Sequence, residues 1–546
     1  MRRWPAAAAL AATLLGACHV GPHYAAPTTP SAAAPRFIEG AGFAGARATP
    51  TNPRWWRLYD DPVLDALIAD AFAANTDLRI AYANVARARG LLREARADRF
   101  PSTTANAGYT RGQSSTAFGG AGVGGGVGGG TGGTGGRGTG TGGTGTGGTG
   151  TGTSPGGTGT GTGGTGTGGT GTGTTVTTGG GGSGYSIFDL GFAVSYELDL
   201  FGRIYRQIQA ARRDLEAERG LADQMRVTVA ADTVTAYVDY CANAVQEAVA
   251  VRTVTLQDRT VQITQAALDV GSGTRLDVER ARALREQSAA TIQTFRAAEA
   301  AARYSLAALT GRPPADLRPE ALECRRVPAL AQPIPIGDGA ALIARRPDVR
   351  AAERTLAADT ARIGLATASL YPTISLGGSV GLTSGSARRL FSGSALQYSV
   401  GPLLSFTFPN QEAARGRILQ AQGQGAVSLA TFDRNLLTAL RDTETALSAL
   451  ARELDRRQAL TRARDAARRA AELSRLRFTE GIDNFLTELD ADRTLATAEA
   501  QLAQSEQLVA QDQVTLFRAL GGGWEDSGDT RGDGKPVFDG SKRPIN

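Results

Sequence analysis

The chain runs to 546 residues, 41% hydrophobic and 20% charged, with a formal charge of +6. Its cations are almost all arginine, Lys535 and Lys542 being the only lysines. They are scattered along helical stretches as solvated faces and ion pairs, which argues against a nucleic-acid patch. His19 and His23 are the only histidines, so the body of the chain can hold no His-based triad, zinc site or HExxH helix. No enzyme activity, metal or cofactor is expected.

Residues 1–17 read as a signal peptide. Arg2 and Arg3 precede a short apolar run from Ala6 to Leu15, and Leu15-Gly16-Ala17-Cys18 supplies the small residues a signal peptidase needs. The run is too short for a permanent membrane helix. The cysteine directly after that tripeptide resembles a bacterial lipobox, in which Cys18 becomes a lipid-modified N-terminus; the alternative is an ordinary signal with an incidental cysteine. His19, not Asp, follows, so by that resemblance nothing retains the chain at the inner membrane. Export leaves Cys241 and Cys324, an even number in an oxidising compartment. They pair as a disulfide or stay as two buried thiols.

Residues 18–61 form a proline-punctuated, extended segment that ends in Trp55-Trp56 and Asp61-Pro62. The tryptophans read as packing anchors. Asp61 should cap a helix whose first position is Pro62. Residues 62–311 read as one structural unit and 341–521 as a second, joined by a linker over 312–340; a polar tail follows over 522–546. Strands are expected at Pro101 to Thr110, Ser186 to Leu200, Thr373 to Leu382 and Tyr398 to Phe408, with Phe192, Val194, Tyr196 and Leu198 alternating with polar or small residues. Between the first two lies a Gly/Thr tract, residues 119–184, whose composition predicts disorder in a loop on the outer surface.

Long helices dominate the rest. Between Ala426 and Glu480 there is no Gly or Pro, and Leu429, Phe432, Leu436, Leu440, Leu447, Leu450 and Leu454 recur at three- and four-residue steps. At about 1.5 Å per residue that arm reaches on the order of 90 Å. A turn follows at Gly481, and then Leu495, Leu502, Val509 and Leu516 sit seven apart, the seam of an antiparallel hairpin. Leu256, Ile263 and Val270 keep the same step ahead of a turn at Gly271 to Gly273. The unit is therefore duplicated as helix, two strands, and long helical hairpin. The fold class is mainly α with a transmembrane β portion: four strands cannot close a useful barrel and an open edge cannot face lipid, so several chains must share one.

Several pieces carry a resemblance: Cys18 to Pro27, Trp55-Trp56 to Asp61-Pro62, Asn75 to Arg79, Tyr196 to Arg203 and Arg345 to Arg350. Together they look like the NodT/OprM branch of the TolC-type outer-membrane factors of tripartite efflux systems. The resemblance implies a homotrimer in the outer-membrane lipid, a barrel of about twelve strands, and a helical tunnel across the periplasm. It also implies a periplasmic adaptor and an inner-membrane pump, of the RND type, as partners. Two departures stand out, the length of the Gly/Thr tract and the stretched strand-to-helix junction from Phe408 to Arg417.

The working part of such a duct is its gate. Asp483, Leu486 and Asp490 are spaced three and four apart and would share one helix face, each becoming a ring about a threefold axis. The resemblance puts Phe478, Leu486 and Asp490 at gate positions; an ordinary solvated helix start is the plainer reading. Gly271, Gly273, Leu276 and Asp277 at the first tip, with Gly481 at the second, resemble adaptor-facing turns. The functions left open are an efflux exit duct, a type I protein-secretion duct of the same fold, and a coiled-coil structural lipoprotein. The lipobox and Arg346-Pro347-Asp348-Val349 favour the first over the second, and the paired strands argue against the third.

Overall fold

A computed structural model describes residues 20–27, 37–39, 46–47, 54–113, 184–317, 324, 326–330, 334–336 and 339–524. The expected signal peptide, the Cys18 anchor, the Gly/Thr tract as far as residue 183 and the tail beyond 524 lie outside the described residues. Two units are present: a helical one, and a smaller one formed by residues 103–193 and 378–399 of the strand segments.

The helical unit begins with a 3-10 turn, Trp55–Tyr59, and two short helices, α1 (Pro62–Ala74) and α2 (Thr76–Ala97). Asp61 caps α1, its carboxylate accepting from the Val63 and Leu64 amides, with Pro62 at the first helical position as expected. Asn75 caps α2 the same way and also donates its side-chain amide to the Leu309 carbonyl at 3.0 Å. Helix α3 (Arg203–Asp269) has 67 residues and α4 (Arg275–Leu309) has 35; later, α5 (Gly339–Arg345) and α6 (Pro347–Ala368) lead to α7 (Glu412–Thr479) of 68 and α8 (Phe485–Ala519) of 35. Helices of 67 and 68 residues extend about 100 Å each.

Each long helix turns back through the same device. At Gly271 (φ 75°) and Gly481 (φ 71°) the chain enters the left-handed region that a Cβ disfavours. The two following amides then close onto the last turn: Gly271 N–H to Leu268 O and Ser272 N–H to Ala267 O, matched by Gly481 to Phe478 and Ile482 to Arg477. These bonds satisfy carbonyls that the helix end would otherwise leave without donors.

The buried core gathers where the short segments cross the long helices. Trp55 is fully buried and stacks on Phe517 at 4.6 Å, while Trp56 meets Trp55 and Phe72 edge-on. Leu64, Leu67, Ile68, Leu306, Leu447 and Leu450 complete this cluster, so both tryptophans are packing anchors. Cys241 lies fully buried among them. Its sulfur is bonded to that of Cys324, with Cα atoms 5.1 Å apart. A two-residue parallel pairing of β1 (Ala46–Arg47) with β4 (Ile334–Pro335) brings the linker beside the N-terminal segment.

The heptad seam holds on one hairpin and fails on the other. Leu502, Val509 and Leu516 of α8 are buried, as the spacing requires. Ile263 on α3 is 37% exposed and Val270, at its C-terminal cap, 79%, and the buried face carries Gln257, Thr260 and Thr264 instead. The reason lies in the facing helix, because α8 presents carboxylates there and Thr260 donates to Asp492. Leu429, expected on the apolar stripe of α7, is 44% exposed, whereas Phe432, Leu436, Leu447 and Leu450 are buried. Helix α7 also starts before its expected glycine-free stretch and runs through Gly416, Gly423 and Gly425.

The four strands β2 (Ser102–Gln113), β3 (Gly184–Leu198), β5 (Thr373–Ser384) and β6 (Leu396–Ser405) form one sheet in the order β2-β3-β5-β6. Neighbours run antiparallel, since rising numbers on one strand meet falling numbers on the next. Gly108 abuts Asp189 and Gly112 abuts Tyr185; Gly381 approaches Leu190 and Gly385 approaches Ser186; Ser379 bonds Ser399 and Thr373 bonds Ser405. β2 and β6 are therefore the edges. Observed bounds differ from the expected ones by up to three residues, and β6 stops at Ser405, before the cis Phe408-Pro409 bond.

The Cys241–Cys324 bond closes a separation of 83 residues. Replacing both cysteines by Ala is expected to lower stability by about 2–4 kcal/mol, read as an earlier melt, and peptide mapping without reductant should recover the linked pair. Two free thiols in unreduced, unfolded protein would contradict the bond.

Candidate functional site at the hairpin tips

The helix α8 that follows Gly481 carries two of the four expected gate residues, Leu486 and Asp490, while Phe478 lies on α7 and Asp483 in the turn between them. At the start of α8 Asn484 is the cap, accepting from the Thr487 amide at 3.1 Å. Asp483 therefore precedes the helix and does not share a face with Leu486 and Asp490, which corrects the expectation from spacing. It makes a two-bonded ion pair with Arg477, at 2.7 and 2.9 Å, and that guanidinium holds its carboxyl below the usual range. The reversal at Gly481 brings the end of α7 within reach of Asp483, so the pair closes the turn.

Phe478 is half-buried and leans on Phe485, ring centres 6.1 Å apart, inside the protomer. Leu486, 49% exposed, and Asp490, also exposed, line a groove of about 410 Å³. Arg280, Leu284, Leu489 and Arg493 share that groove, so it runs between α4 of the first hairpin and α8 of the second. Arg280 and Arg493 line the same groove as Asp490.

At the first tip Asp277 serves the helix itself. Its carboxylate accepts from the Thr274 amide while the Thr274 hydroxyl accepts from the Asp277 amide, a reciprocal capping box at the start of α4. Leu276 is 58% exposed, and nothing lies within 4 Å of the side a Cβ would occupy at Gly271. Gly273 is closer packed, with Ala267 3.1 Å from that position.

The inward face of α8 holds what the sequence reading missed. Glu488 and Asp492, one turn apart, are 0% and 8% exposed. Arg475 of α7 bonds Asp492 at 2.9 Å and lies 3.6 Å from Glu488. Burial pushes both carboxyls up, Glu488 to about 7, with Asp492 adding repulsion and Arg475 partly offsetting it. The available signal was the sequence Glu488-Leu-Asp490-Ala-Asp492, in which alternate acids on a helix cannot all face the same way.

At the far end of α8 the Arg345-Arg346-Pro347-Asp348 segment acts as a clamp. Arg345 donates to the Leu520 carbonyl at 2.6 Å, and buried Arg346 donates to the Ala519 carbonyl at 3.0 Å while bonding Asp348 through Nε and Nη2. Close to the end of β3, Asp199 caps α3 through the Ile204 and Tyr205 amides, and Glu197 pairs with Arg203. Arg206, 1% exposed, donates to the Val20 and Gly21 carbonyls and straps the described N-terminal stretch to α3.

Two hairpins of such length with a four-stranded antiparallel sheet define a class of channel-forming membrane proteins. Residues 161–312 and 340–522 match the family described as outer membrane efflux protein, and the chain belongs to that family. It is 27% identical over 514 residues to nodulation protein T of Rhizobium leguminosarum bv. trifolii, covering 94% of this chain and 96% of that one. Toluene efflux pump outer membrane protein TtgF of Pseudomonas putida is 27% identical over 520 residues, covering 94% of this chain and 95% of that one. Among solved structures, the outer-membrane channel OprN superposes with a TM-score of 0.77 at 31% identity, over 93% of this chain and all of that one.

Arg346→Ala should leave the Ala519 carbonyl and the Asp348 carboxylate short of donors, a loss of about 1–3 kcal/mol. Hydrogen exchange should then speed up over the last turns of α8 and not at its start. Uniform protection would show that the clamp does not hold the helix.

Proposed function

We propose that the protein is the outer-membrane exit duct of a tripartite efflux pump, passively conducting drugs or other small toxic molecules delivered by an inner-membrane pump through a periplasmic adaptor. The observation that carries this is a sheet with two open edges in the same chain as two long helical hairpins, in a member of the outer membrane efflux family. Among the described residues no helix is long and apolar enough to cross a membrane. The strands, of 12, 15, 12 and 10 residues, reach the roughly 9–11 that a tilted strand needs. Edges at β2 and β6 would carry unpaired backbone groups in lipid, which only pairing with other copies removes. Three copies then form a twelve-stranded barrel, the duplicated hairpins continuing it as a periplasmic tunnel. Exposed Tyr398, Val400, Leu403 and Leu404 on β6 suit such burial against a neighbour or lipid.

The N-terminus fits a lipid anchor. Val20 lies two residues after Cys18, and its amide donates to the Phe201 carbonyl, three residues past the end of β3. The disulfide fits export to the periplasm, because such bonds persist in oxidising compartments.

The gate reading rests on Leu486 and Asp490, exposed together on α8 beside the second tip. Around a threefold axis they become a leucine constriction and a carboxylate ring, opened when the second hairpin moves relative to the first. Asp483 contributes less, since Arg477 neutralises it. Phe478 supports the gate from behind through Phe485. The exposed first tip, with Leu276, is the surface offered to the adaptor.

Deleting the gene should raise drug accumulation in cells, and the wild-type gene should restore export. Flat accumulation of every compound together with retention of a secreted protein would move the cargo to polypeptide. Replacing both Leu486 and Asp490 by Ala should raise single-channel conductance in planar bilayers several-fold; unchanged conductance would defeat the gate assignment. Labelling with radioactive palmitate should mark the wild type and miss Cys18→Ala.

A further inference from the structure

Glu488 is a buried acid without a hydrogen-bond partner, set in the first turn of the helix that bears the proposed gate. Its side chain is fully enclosed and neither carboxylate oxygen has a hydrogen-bond partner. The nearest cation, Arg475 Nε, stands 3.6 Å from Oε1, beyond hydrogen-bond reach, and the same guanidinium bonds Asp492 at 2.9 Å. The facing side of α3 supplies only uncharged groups, Gln257, Thr260 and Thr264, all buried. Both amide atoms of Gln257 are themselves unbonded, so α3 compensates little.

The charge inventory of this layer is thus two carboxylates, Glu488 and Asp492 on α8, and one guanidinium, Arg475 on α7. Fully ionised, it carries an excess negative charge, with the Glu488 carboxylate itself enclosed and only Arg475 reaching solvent. Such a charge is relieved by taking up a proton or by letting water in. The acid best placed to take the proton is Glu488, because Asp492 already holds Arg475 and the Thr260 hydroxyl.

We propose that Glu488 is a proton-operated latch: protonated, it packs as a neutral side chain and holds the start of α8 against α3 and α7; ionised, it loosens that contact and favours the open state. The latch rests on the gate reading above, since Leu486 and Asp490 ride on the same turns of α8. Its direction follows from which state prefers the proton. Burial, helped by the neighbouring Asp492, pushes the enclosed carboxyl up from its ordinary 4.5 to about 7. A carboxyl raised in the closed state stabilises that state fully below the ordinary value and loses its hold as pH rises through the raised one. The channel should open more readily toward alkaline pH.

Single-channel recordings in planar bilayers test this on the full-length trimer. For the wild type, open-state frequency should rise about tenfold or more between about pH 5 and about pH 8. Glu488→Gln should stay at the acidic level throughout, and Glu488→Leu should give the same flat profile; heat-resistant trimer bands report which variant assembles. A wild type that is flat over this range, or a Gln variant that keeps the wild-type rise, overturns the latch. The paired Leu486→Ala and Asp490→Ala variant, run alongside, separates the two ideas. If it raises conductance while Glu488→Gln keeps the wild-type rise, the gate stands and the latch falls; if its conductance is unchanged, the gate reading itself fails.

Discussion

A long helix can be reversed only if the carbonyls at its end and the amides at the next start find partners, and most of the distinctive residues of this chain serve that need. The glycines at 271 and 481 let two amides fold back onto each long helix. Thr274 with Asp277, and Asn484, start the return helices. Arg345 and Arg346 cover the end of α8, while Asn75 caps α2 and reaches the end of α4 with one side chain. Short sequence pieces that look like recognition motifs are therefore largely helix-end chemistry. Their spacing sets where each hairpin bends and which residues reach the tips.

Between the ends, packing follows two regimes. In the aromatic cluster, Trp55, Phe517, Leu306 and Leu447 make a dry core, stapled by the bond from Cys241 to Cys324. Toward the tips the interface turns polar, with Gln257, Thr260, Thr264, Ser474, Glu488 and Asp492 all buried. Apolar layers gain by excluding water, whereas a buried polar layer is held only while its hydrogen bonds and charges balance. The tips are the part with less to lose on separation. That asymmetry agrees with the gate proposed at the second tip.

The expected heptad on the first hairpin failed for the same reason. A seven-residue recurrence at Leu256, Ile263 and Val270 is a real pattern, but it marks a face left partly or largely exposed in one protomer. The sequence alone does not say whether an apolar stripe meets its own hairpin or another surface. Asp483 shows the converse limit, since spacing placed it on a helix that starts two residues later at Phe485. One turn residue changed its role from free carboxylate to ion-pair partner.

The sequence by itself determined the element order, the turns and the caps, because these depend on neighbours within a few residues: glycine in the left-handed region, Asp and Asn at helix starts, proline at first positions. It also identified the family resemblance and the apolar stripe later found buried at Phe432, Leu436, Leu447 and Leu450. Only the tertiary structure decided which face of each long helix is enclosed. It alone paired Arg477 with Asp483 and turned Glu488 inward against Arg475 while Asp490 faced outward. Arg477 meets Asp483, and Arg475 meets Glu488, across the hairpin turn at Gly481, whereas Thr260 opposite Asp492 lies 232 positions away, and no local pattern encodes the rotation that sets which face is enclosed.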